Sequence, residues 1–268
     1  MFDPELNQEK LDKFFRRLRR SRRSLLFLDY DGTLSPFRIE RDDAVPYEGV
    51  RERLGAIIDT GHTRLVIVTG RTMRDVMPLL GLNDPPEIWG SHGWERRLPN
   101  GRIDHPELPE AARSGLAEAA VAAEELGHAD LLERKPAGLA FHWRGQGEME
   151  IGLIREQVGE SWFALAARCE LVLMKFDGGL ELRAEGRNKR VAVQTVLAEE
   201  ETGVPAAYLG DDLTDEDGFH AIEGRGLSIL VRAKPRTSAA QCWIRPPEEL
   251  LRFLDGWLET TAARTDQR

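Results

Sequence analysis

The sequence predicts an α/β fold, a Rossmann-like parallel-sheet core interrupted by a smaller α+β domain. Three observations carry this expectation. Apolar runs of strand length, Leu25–Leu28, Leu65–Val68 and Ala206–Leu209, each stop at a polar cluster: Asp-Tyr-Asp-Gly-Thr, Thr-Gly-Arg and Gly-Asp-Asp. Amphipathic helical stretches adjoin them, which gives the βα alternation of a doubly wound sheet. Between about 104 and 183 the composition shifts to an alanine- and glutamate-rich stretch followed by alternating strands, as expected of an insertion.

Taken in order, Leu25-Leu26-Phe27-Leu28 has the continuous hydrophobicity of a strand buried on both faces. Asp29 then falls at its carboxyl end, where open α/β sheets place their ligands. Gly32 allows a tight turn. Arg51 to Thr60 reads as a short amphipathic helix, Leu65–Val68 as the second strand, Thr72 to Leu80 as a helix, and Ile88–Trp89 as a short strand after the turn-rich NDPPE. Glu110 to Leu126 has good helix propensity. Leu139 to Arg144 alternates, with Leu139, Phe141 and Trp143 on one strand face and Ala140, His142 and Arg144 on the other. A helix near Glu148–Arg168 and strands near Leu171–Phe176 and Leu180–Arg183 complete the insertion. The core pattern resumes with a helix over Val191–Glu201, the strand Ala206–Leu209 and the strand Leu227–Val231. The expected division is 1–103 with 184–268 for the core, and 104–183 for the insertion.

A chain of 268 residues with 41% hydrophobic content has enough apolar material for a sizeable core. The net charge of −9 argues against nucleic acid or an anionic membrane as a general partner. The basic run Arg16–Arg23 reads as a solvated helix face rather than an anion-binding patch. No apolar run approaches the ~20 residues of a bilayer span. The start, MFDPELNQEK, lacks the basic and apolar regions of a signal peptide. With only Cys169 and Cys242, and no CxxC pair, a cytoplasmic location is expected.

Polar residues at the strand ends and helix starts form a complementary chemical set. Asp29 is a candidate nucleophile toward phosphorus. Asp31, displaced by the turn, is placed to protonate a leaving oxygen and later to activate water. Mg²⁺ on hard carboxylate oxygens of the loop Gly210–Asp215 would offset the charge of an anionic phosphate. Lys189 adds a fixed cation and Thr69 a hydroxyl donor. Taken singly, each has a plainer reading: an acidic turn after a strand, a helix cap at Thr69, a surface lysine at 189.

Together and in this order, DYDGT, Thr69 after VIV, Lys189 and GDDLTDED resemble the haloacid-dehalogenase-like phosphatase superfamily. The resemblance implies Asp29 as nucleophile, Asp31 as general acid/base, and Thr69 and Lys189 as phosphate holders. It implies Mg²⁺ on Asp29, the main-chain oxygen of Asp31 and Asp211, with Asp212 and Asp215 as further ligands or support. It also makes the insertion a cap domain that sets specificity on a hydrolase core.

Three further stretches, GSHGWE (90–95), Glu133-Arg134-Lys135 with His142-Trp143-Arg144, and Glu181 to Lys189, together with GDDLTDED resemble the trehalose-6-phosphate phosphatase family. Its patterns run like GSHGAE, ExK…HYR, ExxPxGxxKG and GDDxTDE. A phosphosugar substrate is therefore implied, with Glu133, Lys135, His142, Arg144, Glu181 and Arg183 as sugar-binding candidates. A disaccharide presents many hydroxyls, which suits a pocket mixing carboxylates with Arg, Lys and His donors. Gly70, Arg71 and His92 join this set, although the glycines flanking His92 also fit a backbone role. Ala184 stands where the family has proline, Arg190 where it has glycine, and Trp143 where it has tyrosine. Sucrose phosphate, a mannosyl phosphoglycerate or noncatalytic phosphosugar sensing are the competing readings. Position six after Cys169 is Lys175 and after Cys242 is Glu248, so the arginine of a cysteine phosphatase is missing.

Overall fold

In a computed structural model of the chain, residues 2–38, 40–143, 145–176 and 178–263 are described. They separate into two compact units, Met1–Asp104 with Asn188–Arg268, and His105–Arg187. In chain order, the first part of the larger unit comprises α1 (Pro4–Arg19), β1 (Ser24–Leu28), α2 (Val50–Asp59), β2 (Thr63–Val68), α3 (Met73–Leu80), β3 (Glu87–Gly90), β4 (Glu95–Arg97) and β5 (Ile103–Asp104). The smaller unit follows with α4 (Glu110–Glu125), β6 (Leu132–Lys135), β7 (Gly138–His142), α5 (Glu148–Arg168), β8 (Leu171–Phe176) and β9 (Gly179–Ala184). The larger unit resumes with α6 (Lys189–Ala198), β10 (Ala206–Gly210), α7 (Glu216–Ala221), β11 (Gly226–Val231), β12 (Cys242–Ile244) and α8 (Glu248–Ala262).

One sheet, ordered β12-β11-β10-β1-β2-β3-β4-β5, runs through the larger unit. Pairing is parallel from β12 to β3, as expected of the core, and β4 and β5 continue the edge antiparallel. Side chains alternate across the sheet. Leu26, Leu28, Leu65, Ile67 and Leu209 join a cluster with α1, α2, α3 and α8, while Leu25, Phe27, Val66, Val68 and Tyr208 pack with α6 and α7. Both faces are therefore apolar, which is why the strands read as unbroken hydrophobic runs. The order reverses at β1: β2 lies on one side and β10 on the other. The crevice outside such a switch point is where polar side chains gather.

Two boundaries differ from expectation in ways that bear on chemistry. The helix expected from Val191 begins at Lys189, because Asn188 caps it by accepting from the Val191 amide at 3.0 Å. Lys189 thus occupies the first turn. The cap of α3 is Thr72, accepting from Asp75 N, so Thr69 is not a helix cap. The basic run places Arg16, Arg17 and Arg19 in the last turn of α1, where they complement the negative helix end.

The smaller unit has an antiparallel sheet, β6-β7-β9-β8. Phe141 meets Trp162 of α5 at 6.0 Å, and the Trp162 indole donates to the Ala119 carbonyl of α4 at 3.3 Å. The register pairs Ala140 with Glu133 and Glu181, and Gly138 with Lys135 and Arg183. Strand alternation puts these four charged residues and His142 on the face opposite Phe141. The expected strand Leu139–Arg144 stops short: β7 ends at His142, and the Trp143 amide donates to the Gly178 carbonyl at 3.0 Å. Arg144 lies outside the described residues.

Candidate active site

Asp29 extends β1 by one residue, its amide donating to Leu209 O at 2.9 Å. Its buried carboxylate accepts from Lys189 Nζ at 2.7 Å and from Thr33 Oγ1 at 3.1 Å. Lys189, 3% exposed, also donates to Asp215 Oδ1 at 2.7 Å. Asp215 accepts in addition from the Tyr208 hydroxyl at 2.6 Å and from the amides of Asp211 and Asp212 at 3.2 and 3.1 Å. Its oxygens are thus occupied in anchoring the acidic loop. Asp212 is partly exposed and caps the Leu213 amide at 2.7 Å.

Four charges in so little space have electrostatic consequences. Burial, then the opposing Asp215, pushes Asp29 up to about 8 against the pull of Lys189. Burial and Asp29 push Asp211 well above the carboxylate range. Burial works against the charge of Lys189, yet Asp215 and Asp29 hold its pKa above that of an ordinary lysine. The negative charge is therefore under-compensated. Asp211 Oδ2 is buried without a hydrogen-bond donor among the described residues, and Arg232 Nη1 stands 3.6 Å away. A Cβ at Gly32, whose φ is +82°, would fall 2.3 Å from that oxygen. Asp29, Asp211 and Asp215 bring carboxylate oxygens within 4.8 Å of one another. Hard oxygens, an orphaned acceptor and a glycine-lined approach fit a divalent cation.

The second aspartate is held separately. Arg71, 5% exposed, clamps Asp31 with two bonds of 2.7 Å and donates to the Arg41 carbonyl at 3.0 Å. This guanidinium, a substrate-binding candidate in the sequence, engages the candidate acid/base. Thr69 is fully buried at the end of β2, its hydroxyl accepting from the Arg71 amide at 3.1 Å. Gly70 is required by packing: a Cβ there would fall 2.5 Å from His92 Nε2. His92 itself is buried with φ +55° and donates its amide to Thr69 O at 2.9 Å. Gly70 and His92, both substrate-binding candidates, pack against one another, and the His92 amide braces the Thr69 turn, the backbone role that its flanking glycines also fit. Thr33 and Tyr208 were not singled out in the sequence; the first is part of the DYDGT motif, while the second reads as one more apolar strand residue.

In the smaller unit, Lys135 Nζ donates to Glu181 Oε1 at 3.2 Å and lies 3.9 Å from Glu133. His142 Nε2 is 2.8 Å from Glu133 Oε2. Glu181 and Arg183 are buried, and Arg183 Nε finds no acceptor among the described residues. Five sugar-binding candidates therefore share one sheet face, charged in both signs.

The family model for trehalose-phosphatase matches residues 27–242, a span covering both units. The chain belongs to the trehalose-phosphatase family. It is 30% identical over 247 residues to a trehalose-phosphate phosphatase of Mycobacterium marinum, covering 86% of this chain and 60% of that protein. It thus spans about three-fifths of the length of that relative. A probable trehalose-phosphate phosphatase of Oryza sativa subsp. japonica is 29% identical over 256 residues, with 86% and 68% covered. The fold is shared with the C-terminal domain of the C. albicans trehalose-6-phosphate phosphatase at a TM-score of 0.78, with 19% identity and coverage of 93% and 96%. Arg190, which stands where the family has glycine, lies 3.8 Å from Asp217 and is half-exposed. Among the described residues no helix is long and apolar enough to cross a membrane.

Proposed function

We propose that the chain is a Mg²⁺-dependent phosphatase that hydrolyses trehalose 6-phosphate to trehalose and phosphate through an aspartyl phosphate on Asp29. The observation that carries this reading is the buried cluster at the end of β1. There Asp29 lies against Lys189 at 2.7 Å, beside an Asp211 oxygen with no hydrogen-bond donor among the described residues. Asp29, the Asp31 main-chain oxygen and Asp211 would hold Mg²⁺, which supplies positive charge against the phosphoryl oxygens and the nucleophile.

The Asp29 carboxylate attacks phosphorus, and the bond from phosphorus to the sugar oxygen breaks as Asp31 gives that oxygen its proton. Asp31 then takes a proton from water. The resulting hydroxide displaces Asp29 and releases phosphate. Lys189 and Thr69 hold phosphoryl oxygens, and Arg71 keeps Asp31 in orientation through its two-point grip. Sugar recognition is assigned to the unit 105–187, on the face carrying Glu133, Lys135, His142, Glu181 and Arg183. The unpaired Arg183 Nε–H supports this, because a sugar hydroxyl would satisfy a buried donor that is otherwise costly.

Two measurements test the reading. Asp29→Asn keeps the fold by circular dichroism and loses turnover; normal turnover in that variant excludes the covalent mechanism. A panel of trehalose 6-phosphate, sucrose 6-phosphate and a mannosyl phosphoglycerate, assayed with Mg²⁺, is expected to favour the first. Equal slow turnover of all three removes the trehalose assignment, and binding without hydrolysis indicates a sensor.

A further inference from the structure

The acidic loop is held from two directions. Asp215 takes the amides of Asp211 and Asp212. The carbonyls of the same two residues are held by arginines from the segment following β11. Arg236 Nη2 donates to Asp212 O at 2.7 Å, and its Nε and Nη2 both reach Asp211 O at 3.4 Å. Arg232 Nη1 donates to Asp211 O at 3.2 Å. Arg236 is itself fixed: its Nη1 bonds Glu216 of α7 and the Thr237 carbonyl, and Glu216 Oε2 accepts the Ala239 amide at 2.7 Å. The 211–212 segment thus has amides and carbonyls pinned, while Asp211 Oδ2 has no hydrogen-bond donor among the described residues.

We infer that Arg236, braced by Glu216, is a positioning residue for the cation ligand Asp211. It sets that carboxylate by gripping main-chain carbonyls and takes no part in the reaction. The inference rests on the metal reading above. A planar guanidinium suits the task, because one rigid fork reaches three carbonyls and a carboxylate at once, whereas an ammonium presents a single point of charge. Outer partners of this kind typically contribute ~10- to 100-fold to metal affinity.

Charge and geometry make opposite predictions, which renders the inference decidable. If Arg236 acted only as a nearby positive charge, removing it would tighten binding of a cation. If it positions Asp211, removing it weakens binding. Titration calorimetry with Mg²⁺ on the full chain, without substrate, reads this directly. Arg236→Ala is expected to raise the dissociation constant roughly 10-fold or more, Arg236→Lys less, and Glu216→Gln in the same direction as Arg236→Ala but less. Unchanged or tighter binding in Arg236→Ala, with a native melting profile, overturns the inference. Should that variant not fold, unchanged binding in both Arg236→Lys and Glu216→Gln overturns it equally. A wild-type chain that binds no Mg²⁺ overturns the metal reading itself, and is told apart by the wild-type titration alone.

Discussion

Lys189 stands at the wrong end of a helix. A cation in the first turn of α6 meets the positive pole of the helix dipole, and burial adds a desolvation penalty. Only the two carboxylates at 2.7 Å make the position tenable. Lys189→Ala therefore leaves Asp29, Asp215 and Asp211 facing one another. The variant should lose turnover and, in Mg²⁺-free buffer, about 3–5 kcal/mol of stability by denaturant unfolding. Partial recovery of stability on adding Mg²⁺ is expected, and no recovery would contradict cation binding by these carboxylates. A second residue-level dependence joins Gly70 and His92. Since a Cβ at 70 would fall 2.5 Å from the ring, Gly70→Ala should cost ~1–3 kcal/mol through overpacking. In a His92→Ala background that cost should largely vanish. A penalty that persists in the double mutant would place the constraint in the backbone.

At the level of elements, an ionic brace ties the end of α6 to three neighbouring strands near the starts of β2 and β3, at the opposite end of the strands from Asp29. Glu87 of β3, fully buried, accepts from Arg64 of β2 at 2.6 Å, from Arg96 of β4 at 2.9 Å and from the Trp89 indole at 3.0 Å. Glu199, at the end of α6, accepts from both arginines at 2.6 to 2.9 Å. Its bonds to Arg96, partly opposed by burial, lower its pKa below 4.5. A carboxylate depressed on folding contributes stability that is present above its unfolded value and lost as pH falls through its folded value. Melting temperature should therefore drop below pH of about 4.5, and less steeply in Arg96→Gln, which removes the largest cause of the shift and leaves that of Arg64. Equal slopes in both proteins would discount the brace. None of this was legible in the sequence, where Glu87, Arg96 and Glu199 are single charges with no shared spacing. The strands β1, β2 and β10 were legible, because burial on both faces makes a strand uniformly apolar. The strands β4, β5 and β12, two or three residues long, carry no period to read. The helix α8, with its apolar stripe Leu250, Phe253, Leu254 and Trp257, does carry one. In the site, residues acting through side chains at strand ends stood out. Arg232 and Arg236 did not, because they grip main-chain carbonyls that every residue possesses.

The whole molecule joins a discontinuous unit to a continuous one. Both hydrophobic clusters of the larger unit are assembled wholly from residues of 1–104 and 188–268. The clustered carboxylates, Lys189, Arg71 and Arg236 also belong to it. The smaller unit has its own sheet with two helices, and the main chain stays with it through Glu185, whose amide donates to Glu170 O at 3.0 Å. Chemistry and sugar selectivity are therefore expected to be separable. A chain in which a short Gly/Ser linker replaces 105–187 should melt cooperatively, since closing a short flexible loop costs little beside two intact cores. It should still bind Mg²⁺ and hydrolyse a small activated phosphate ester, but show no preference between trehalose 6-phosphate and sucrose 6-phosphate. Hydrolysis of the small ester with lost preference would locate selectivity in 105–187. Retained preference would move the sugar contacts into the larger unit, and failure to fold would mean that its two clusters do not suffice.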